Sequence, residues 1–292
     1  MGTFHLLARK AGRLILLIFV VVTLVFFVPY IIPEGPARGV RNSDAPAFVR
    51  YGQWMLGVLR FDLGRSPLSG EKVSTLILRS FPLTLGLSLL GMGVACLIAL
   101  PLGILSALRR RSLWDYAGII FSWTVMALPG FLLGLLLLLV FAALLEIFPF
   151  FGDDAPLHFV LPVLALGLGH AAVLLRVVRA SMIEELGRQY ITMAVSKGLP
   201  DKMTRCRHAL RNALLPVIGS LGMQFGSLLG GSLIVEQVFS LSGLGRLVLS
   251  AVHQRDFPVI QGCLIFFALM FCCLDFLAGI LYAHIGPRTR VR

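Results

Sequence analysis

The chain has 292 residues, 58% of them hydrophobic and 14% charged, with a formal net charge of +12. Soluble domains average roughly 45–50% apolar and about 25% charged residues, so a water-soluble enzyme or binding module is excluded and membrane-spanning helices are expected. The basic residues are spread over separate segments rather than gathered on one face, which leaves no nucleic-acid interface.

The first apolar run, residues 14–32, follows Arg9, Lys10 and Arg13. It is longer than an ordinary signal-peptide core and no Ala-x-Ala-like site follows it, so it reads as an uncleaved first span. Residues 33–81 mix Pro, Gly and both charge signs. Within them Trp54, Met55, Val58 and Leu59 are spaced for a short interfacial helix over residues 51–63. This outer loop is too short to bury a large core of its own, so substrate capture falls to a separate protein. The second span covers residues 82–108 and the third residues 116–145. The third holds 30 uncharged residues between Asp115 and Glu146. At about 1.5 Å per residue that is roughly 45 Å, against a hydrocarbon core of about 30 Å, so a break or tilt is expected near Pro129-Gly130. Further spans fall at 158–175, 214–235 and 257–285. The expected fold is therefore all-α: a single polytopic membrane domain, 1–292, with six transmembrane helices and a helix hairpin in the loop 176–216.

Charge sets the orientation. With the N-terminus inside, 17 of the 26 basic residues lie on the cytoplasmic side, and both termini are then cytoplasmic. Eight of the 17 belong to residues 176–216, which carry only three acids. Here Ile183, Leu186, Tyr190, Met193 and Ala194 recur at helical spacing and give one apolar face. Glu184 and Glu185 stand near the start and Lys197 at the end, as the helix dipole favours. Gly198 suits a left-handed position past the end, with Leu199 packing back on Met193 or Ala194. Pro200 stops the helix and Asp201 can cap a second one running through Leu210 into the fifth span. The pattern alone leaves open whether this hairpin docks on a partner or merely packs on its own bundle.

Several segments around these residues form a recognisable set: Arg179-Ala180-Ser181-Met182, Tyr190 through Leu199, and Arg207-His208-Ala209-Leu210-Arg211-Asn212-Ala213-Leu214-Leu215-Pro216. They resemble the Glu-Ala-Ala loop of binding-protein-dependent ABC importer permeases, in the dipeptide, oligopeptide and nickel branch. Phe61-Asp62-Leu63-Gly64-Arg65-Ser66, Phe81-Pro82-Leu83-Thr84-Leu85, Pro101-Leu102-Gly103, Gly230 through Glu236 and Arg255 through Gly262 are similar to further motifs of that branch. Departures are Ser242-Gly243-Leu244-Gly245 in place of Pro-Gly-x-Gly, Gly286-Pro287-Arg288 in place of Asp-Pro-Arg, and the residues Gly187 and Ser196.

The resemblance implies a permease subunit, without its own ATPase site, that passes a peptide-like or nickel or metal-chelate substrate through the inner membrane. Its implied partners are a second and different permease chain, two ATP-binding subunits and an extracytoplasmic substrate-binding protein. ATP and Mg would bind to the ATP-binding subunits, and this chain itself would hold no cofactor. The coupling residues it implies are Glu185, Tyr190, Ala194, Lys197, Gly198, Leu199, Arg207 and His208. The chain has no Gly-x-x-x-x-Gly-Lys-Ser/Thr loop to cradle a phosphate, and no catalytic constellation.

Two acids lie in or beside spans. Asp275 must face the bundle, water or a partner, because a charge at mid-bilayer costs about 2.5–3.5 kcal/mol on insertion scales. Glu236 sits at the outer end of the fifth span, as a gate or pathway candidate. The six histidines are widely separated and give no preformed metal ligand set. Cys96, Cys206, Cys263, Cys272 and Cys273 read as packing residues, and Met126, Met223 and Met270 as packing or weak pathway contacts. Gly222, Gly226 and Gly230 share one helical face that permits close helix approach. The competing reading is an ATP-independent secondary transporter or channel, with Asp275 and Glu236 carrying protons. It would be favoured by inverted repeats, which are not evident.

Overall fold

The computed structural model describes residues 2–31, 46–150, 155–198, 200 and 209–285. In chain order the helices are α1 (Gly2–Ile31), α2 (Ala47–Leu59), α3 (Val73–Leu108), α4 (Leu113–Ala127), α5 (Gly130–Leu137), α6 (Val160–Leu186), α7 (Gln189–Ser196), α8 (Leu210–Val238), α9 (Leu244–Gln254) and α10 (Phe257–Ile285). A wider helical turn, Leu138–Leu144, continues α5, and a 3-10 turn, Pro156–Phe159, leads into α6.

Four stretches are long and apolar enough to cross a membrane: Val73–Leu108, Pro156–Leu186, Leu210–Val238 and Phe257–Leu277. The expected third span is instead two helices, Leu113–Ala127 and Gly130–Leu144, bent by 102°. The break falls at the expected Pro129. Steric clash with the proline ring pushes the preceding residue out of the helical region, and Leu128 is extended at φ −95°, ψ 127°. The first span corresponds to a shorter apolar stretch, Leu14–Phe27, inside α1. By length and composition the described residues therefore contain four spans, or five if the bent pair is one, rather than a plain six.

The chain divides into two compact units. In the unit formed by residues 1–84 and 242–276, α2 begins earlier than its sequence pattern indicates. Its Trp54, Met55 and Val58 pack on Val22, Val25 and Ile265 of α1 and α10. Phe26 stacks edge-on against Tyr51 at 5.2 Å, whose hydroxyl is 2.8 Å from Thr23 Oγ1. Two of the sequence motifs meet here. Ser66 Oγ hydrogen-bonds Asp256 Oδ2 and accepts the backbone N–H groups of Leu68 and Ser69. Asp256 follows the left-handed Arg255 and accepts the N–H of Val259 in the first turn of α10. One turn on, Gly262 lies so close to α3 that a Cβ there would stand 2.4 Å from Val73 Cγ1. Thr84 Oγ1 accepts the N–H of Leu244 and so caps α9.

The unit formed by residues 85–241 and 277–292 is built around α6. Its core joins Ala99 and Ala107 of α3, Leu174, Leu175, Val178 and Met182 of α6, and Ala213 and Val217 of α8. Small residues set the spacing of α3 and α6. A Cβ on Gly103 would fall 2.8 Å from Val178, and one on Gly167 would fall 2.7 Å from Val94. The glycine stripe singled out on α8 is different: apart from the neighbouring turns of its own helix, no described residue lies within 4 Å of a Cβ position at Gly230.

Candidate coupling site and the buried carboxylate behind it

Three elements converge at the basic end of α6. The sequence pattern treats residues 183–197 as one helix, but the structure interrupts it. Helix α6 ends at Leu186, Gly187 closes it by donating to Ile183 and Glu184 carbonyls, and Arg188 turns extended at φ −72°, ψ 144°. Glycine costs about 1 kcal/mol in a helix interior, and Arg188 finds compensation outside one. Its guanidinium reaches Glu184 at 2.7 Å and Glu185 at 3.3 Å. The expected single apolar face is divided as a result. Ile183 and Leu186 pack into the α3–α6–α8 core, whereas Tyr190, Met193 and Val195 of α7 are exposed. Ile191 is the buried anchor of that short helix, at 7% exposure.

Glu185 accordingly sits on the end of α6, not on α7, and it is the hinge of a small network. Tyr190 donates its hydroxyl proton to Glu185 Oε2 at 2.6 Å and accepts from Asn212 Nδ2 at 3.0 Å. One phenol therefore ties α7 to both α6 and α8. Burial and the Glu185 carboxylate raise the Tyr190 pKa above its ordinary value. The hydroxyl consequently keeps its proton, and the link, throughout the neutral range. Lys197 is exposed at the end of α7, Ala194 is half-buried, and Gly198 takes the left-handed conformation at φ +79°. Leu199, Arg207 and His208, together with the capping residue Asp201, lie outside the described residues.

Behind this network lies a residue that sequence reading used only to mark a span boundary. Asp115 is 2% exposed and receives four donors. These are Arg179 Nε at 2.6 Å, Arg179 Nη2 at 3.0 Å, Ser106 Oγ at 2.5 Å and the Arg111 N–H at 2.9 Å. The fork-like pairing satisfies both charges and clamps α3, α4 and α6 at one level. The available signal was an acid four residues after a run of three arginines and an arginine at the head of a motif. Nothing in the spacing of residues 115 and 179 brings them together.

Glu236 is enclosed within the chain at the end of α8, at 0% exposure. Asp275 is exposed on α10, and no hydrogen bond or ion pair to another described residue holds it. Among the described residues no group of three or more His, Cys, Asp or Glu side chains is placed to hold a metal ion.

Comparison with known proteins adds the family context. Residues 99–291 match the family described as binding-protein-dependent transport system inner membrane component. The chain is 36% identical to the glutathione transport system permease protein GsiC of Pectobacterium atrosepticum, over 99% of both sequences. It is 34% identical to the dipeptide transport system permease protein DppB of Bacillus subtilis, over 94% of both. Among solved structures it resembles a chain of the methionine ABC transporter MetNI in inward-facing conformations, with a TM-score of 0.62 and 16% identity. That match covers 72% of this chain and 96% of the other. A chain of an amino acid ABC transporter crystallised with histidines gives 0.56 and 21%, covering 74% and 94%. These structural likenesses concern the fold.

Proposed function

We propose that this chain, which belongs to the binding-protein-dependent transport system inner membrane component family, is the permease subunit of an ATP-driven importer of peptide-like molecules. The two relatives named above are permeases of glutathione and dipeptide systems, and their similarity runs the length of the chain. A small peptide carried by a separate binding protein is therefore the cargo favoured here. In this reading a second permease chain completes the pathway, two ATP-binding subunits sit at the basic face, and both termini lie on that cytoplasmic side.

The observation that carries the reading is the short helix α7. It presents Met193 at 63% and Val195 at 54% exposure on the most basic part of the chain, yet it is bonded to the helices on either side. Exposed apolar residues on an otherwise anchored helix mark a docking surface. A partner that moves α7 moves the ends of α6 and α8 with it, because Tyr190 bridges Glu185 and Asn212 and bistable helix packing converts such a push into a shift of access. ATP binding and hydrolysis occur on the partners. Transport then follows from alternating exposure of the permease pair.

The test is a cysteine at Met193 in the complex purified with its candidate ATP-binding subunits. Cross-linking of Met193→Cys to an ATP-binding subunit is expected, together with ATP-dependent dipeptide uptake in proteoliposomes supplied with the binding protein. Uptake that proceeds without ATP-binding subunits would favour the secondary-transporter alternative.

A further inference from the structure

Two arginines stand one turn apart on α6 and have opposite surroundings. Arg179 is matched by the buried Asp115. Arg176 has no acidic partner among the described residues. Its guanidinium lies over the Trp123 ring, 5.1 Å from the centroid, and Nη1 donates to Met126 Sδ at 3.4 Å. Both neighbours are weak partners for a full charge. A thioether is a poor acceptor, and stacking on an indole occupies the face of the guanidinium while leaving most of its in-plane donors unspent.

The cation lines an open groove of about 540 Å³ between α4 and α6, bordered also by Ile119, Ser122, Val173 and Ala180. That volume falls within the roughly 300–1,000 Å³ typical of small-molecule sites. Its depth matters too. Trp123 and Met126 stand eight and eleven residues beyond Asp115 on α4, or about 12 and 16 Å along the axis. An arginine reaching for lipid headgroups would extend toward the nearby helix end. Arg176 does the reverse: its side chain follows the N-terminal lean of helical side chains and meets Met126, near the deep end of α4.

We propose that this groove is a transient carboxylate site in the translocation pathway, in which Arg176 receives the terminal carboxylate of a peptide-like substrate and Trp123 holds the guanidinium ready. The inference rests on the import function proposed above and names the chemical group that the pathway recognises. Neither Arg179, already neutralised, nor the buried Glu236 offers this chemistry. An unmatched cation at that depth is costly unless an anion or water reaches it, so the site attracts a carboxylate on entry. The open groove and single ionic contact also let the substrate leave.

The complete transporter in nanodiscs tests the site without the binding protein. Ala180→Cys on the groove wall is labelled with a maleimide, and background is taken from the chain without the added cysteine. L-alanyl-L-phenylalanine is expected to slow labelling, and its C-terminal amide is not; Arg176→Gln should abolish the protection and Arg176→Lys should restore part of it. In proteoliposomes, Arg176→Gln should lower uptake of the dipeptide about tenfold, the loss of one charge-assisted interaction, with the second permease still co-purifying. No protection of Ala180→Cys, equal protection by dipeptide and amide, protection governed by anionic lipid content, or loss of the second permease from Arg176→Gln would each overturn the site. Protection without ATP-driven uptake would leave the site standing and overturn the import function; uptake without protection does the reverse.

Discussion

At the scale of single residues, buried charge and close backbone approach decide most. Replacing Asp115 by Asn leaves the Arg179 guanidinium without its counterion beside a packed core. Breaking a buried pair from one side typically costs about 3–5 kcal/mol, and the lower end applies here because Arg179 is a quarter exposed. Thermal unfolding of the purified permease should show a drop of that order, and Asp115→Asn combined with Arg179→Gln should lose less than the sum of the two. Gly262→Ala is expected to cost about 1–3 kcal/mol as overpacking against Val73. Val73→Ala in the same chain should recover much of the loss, which distinguishes a steric clash from a backbone effect.

At the scale of elements, α7 matters through its attachments. Tyr190→Phe keeps the ring and removes the hydroxyl that joins Glu185 to Asn212. Each such bond is worth about 0.5–1.5 kcal/mol, too little to prevent folding but enough to loosen the joint. Uptake is expected to fall about fivefold while membrane insertion and ATPase binding persist, as read by transport and co-purification on the same preparation. Because the Tyr190 pKa is raised, its proton is lost only above the ordinary tyrosine range. The contribution of the bond is therefore constant at neutral pH and is lost as pH rises past the unfolded-state value. The kink before α5 belongs to this scale too, and it was legible in advance: Pro129 and an apolar run too long for the bilayer both pointed to it.

For the molecule as a whole, the function proposed above depends on transmitting a partner's motion without loss. Gly198→Asp replaces a left-handed glycine at φ +79° with a residue that pays about 1 kcal/mol for that conformation and adds charge beside the proposed docking face. Expression and insertion should be normal while ATP hydrolysis no longer responds to the loaded binding protein. Normal coupled transport by this variant would remove α7 from the mechanism.

Composition and apolar run length were enough to establish a helical membrane protein, because a bilayer core admits only long uncharged helices or closed barrels. The motifs over residues 190–198 carry the family resemblance on which the proposed coupling region rests, and Gly198 announced its own turn, since these signals are local in the chain. Other features were settled by tertiary structure alone. The sequence period ran α6 and α7 together, because periodicity does not register Arg188 turning back on Glu184 and Glu185. It likewise passed over Asp115, whose partner is 64 residues away, and over the contrast between a neutralised Arg179 and an unmatched Arg176. Pairing across such separations depends on which helix faces meet, and facing is set by packing, with Gly103 and Gly167 letting α3 lie close on α6.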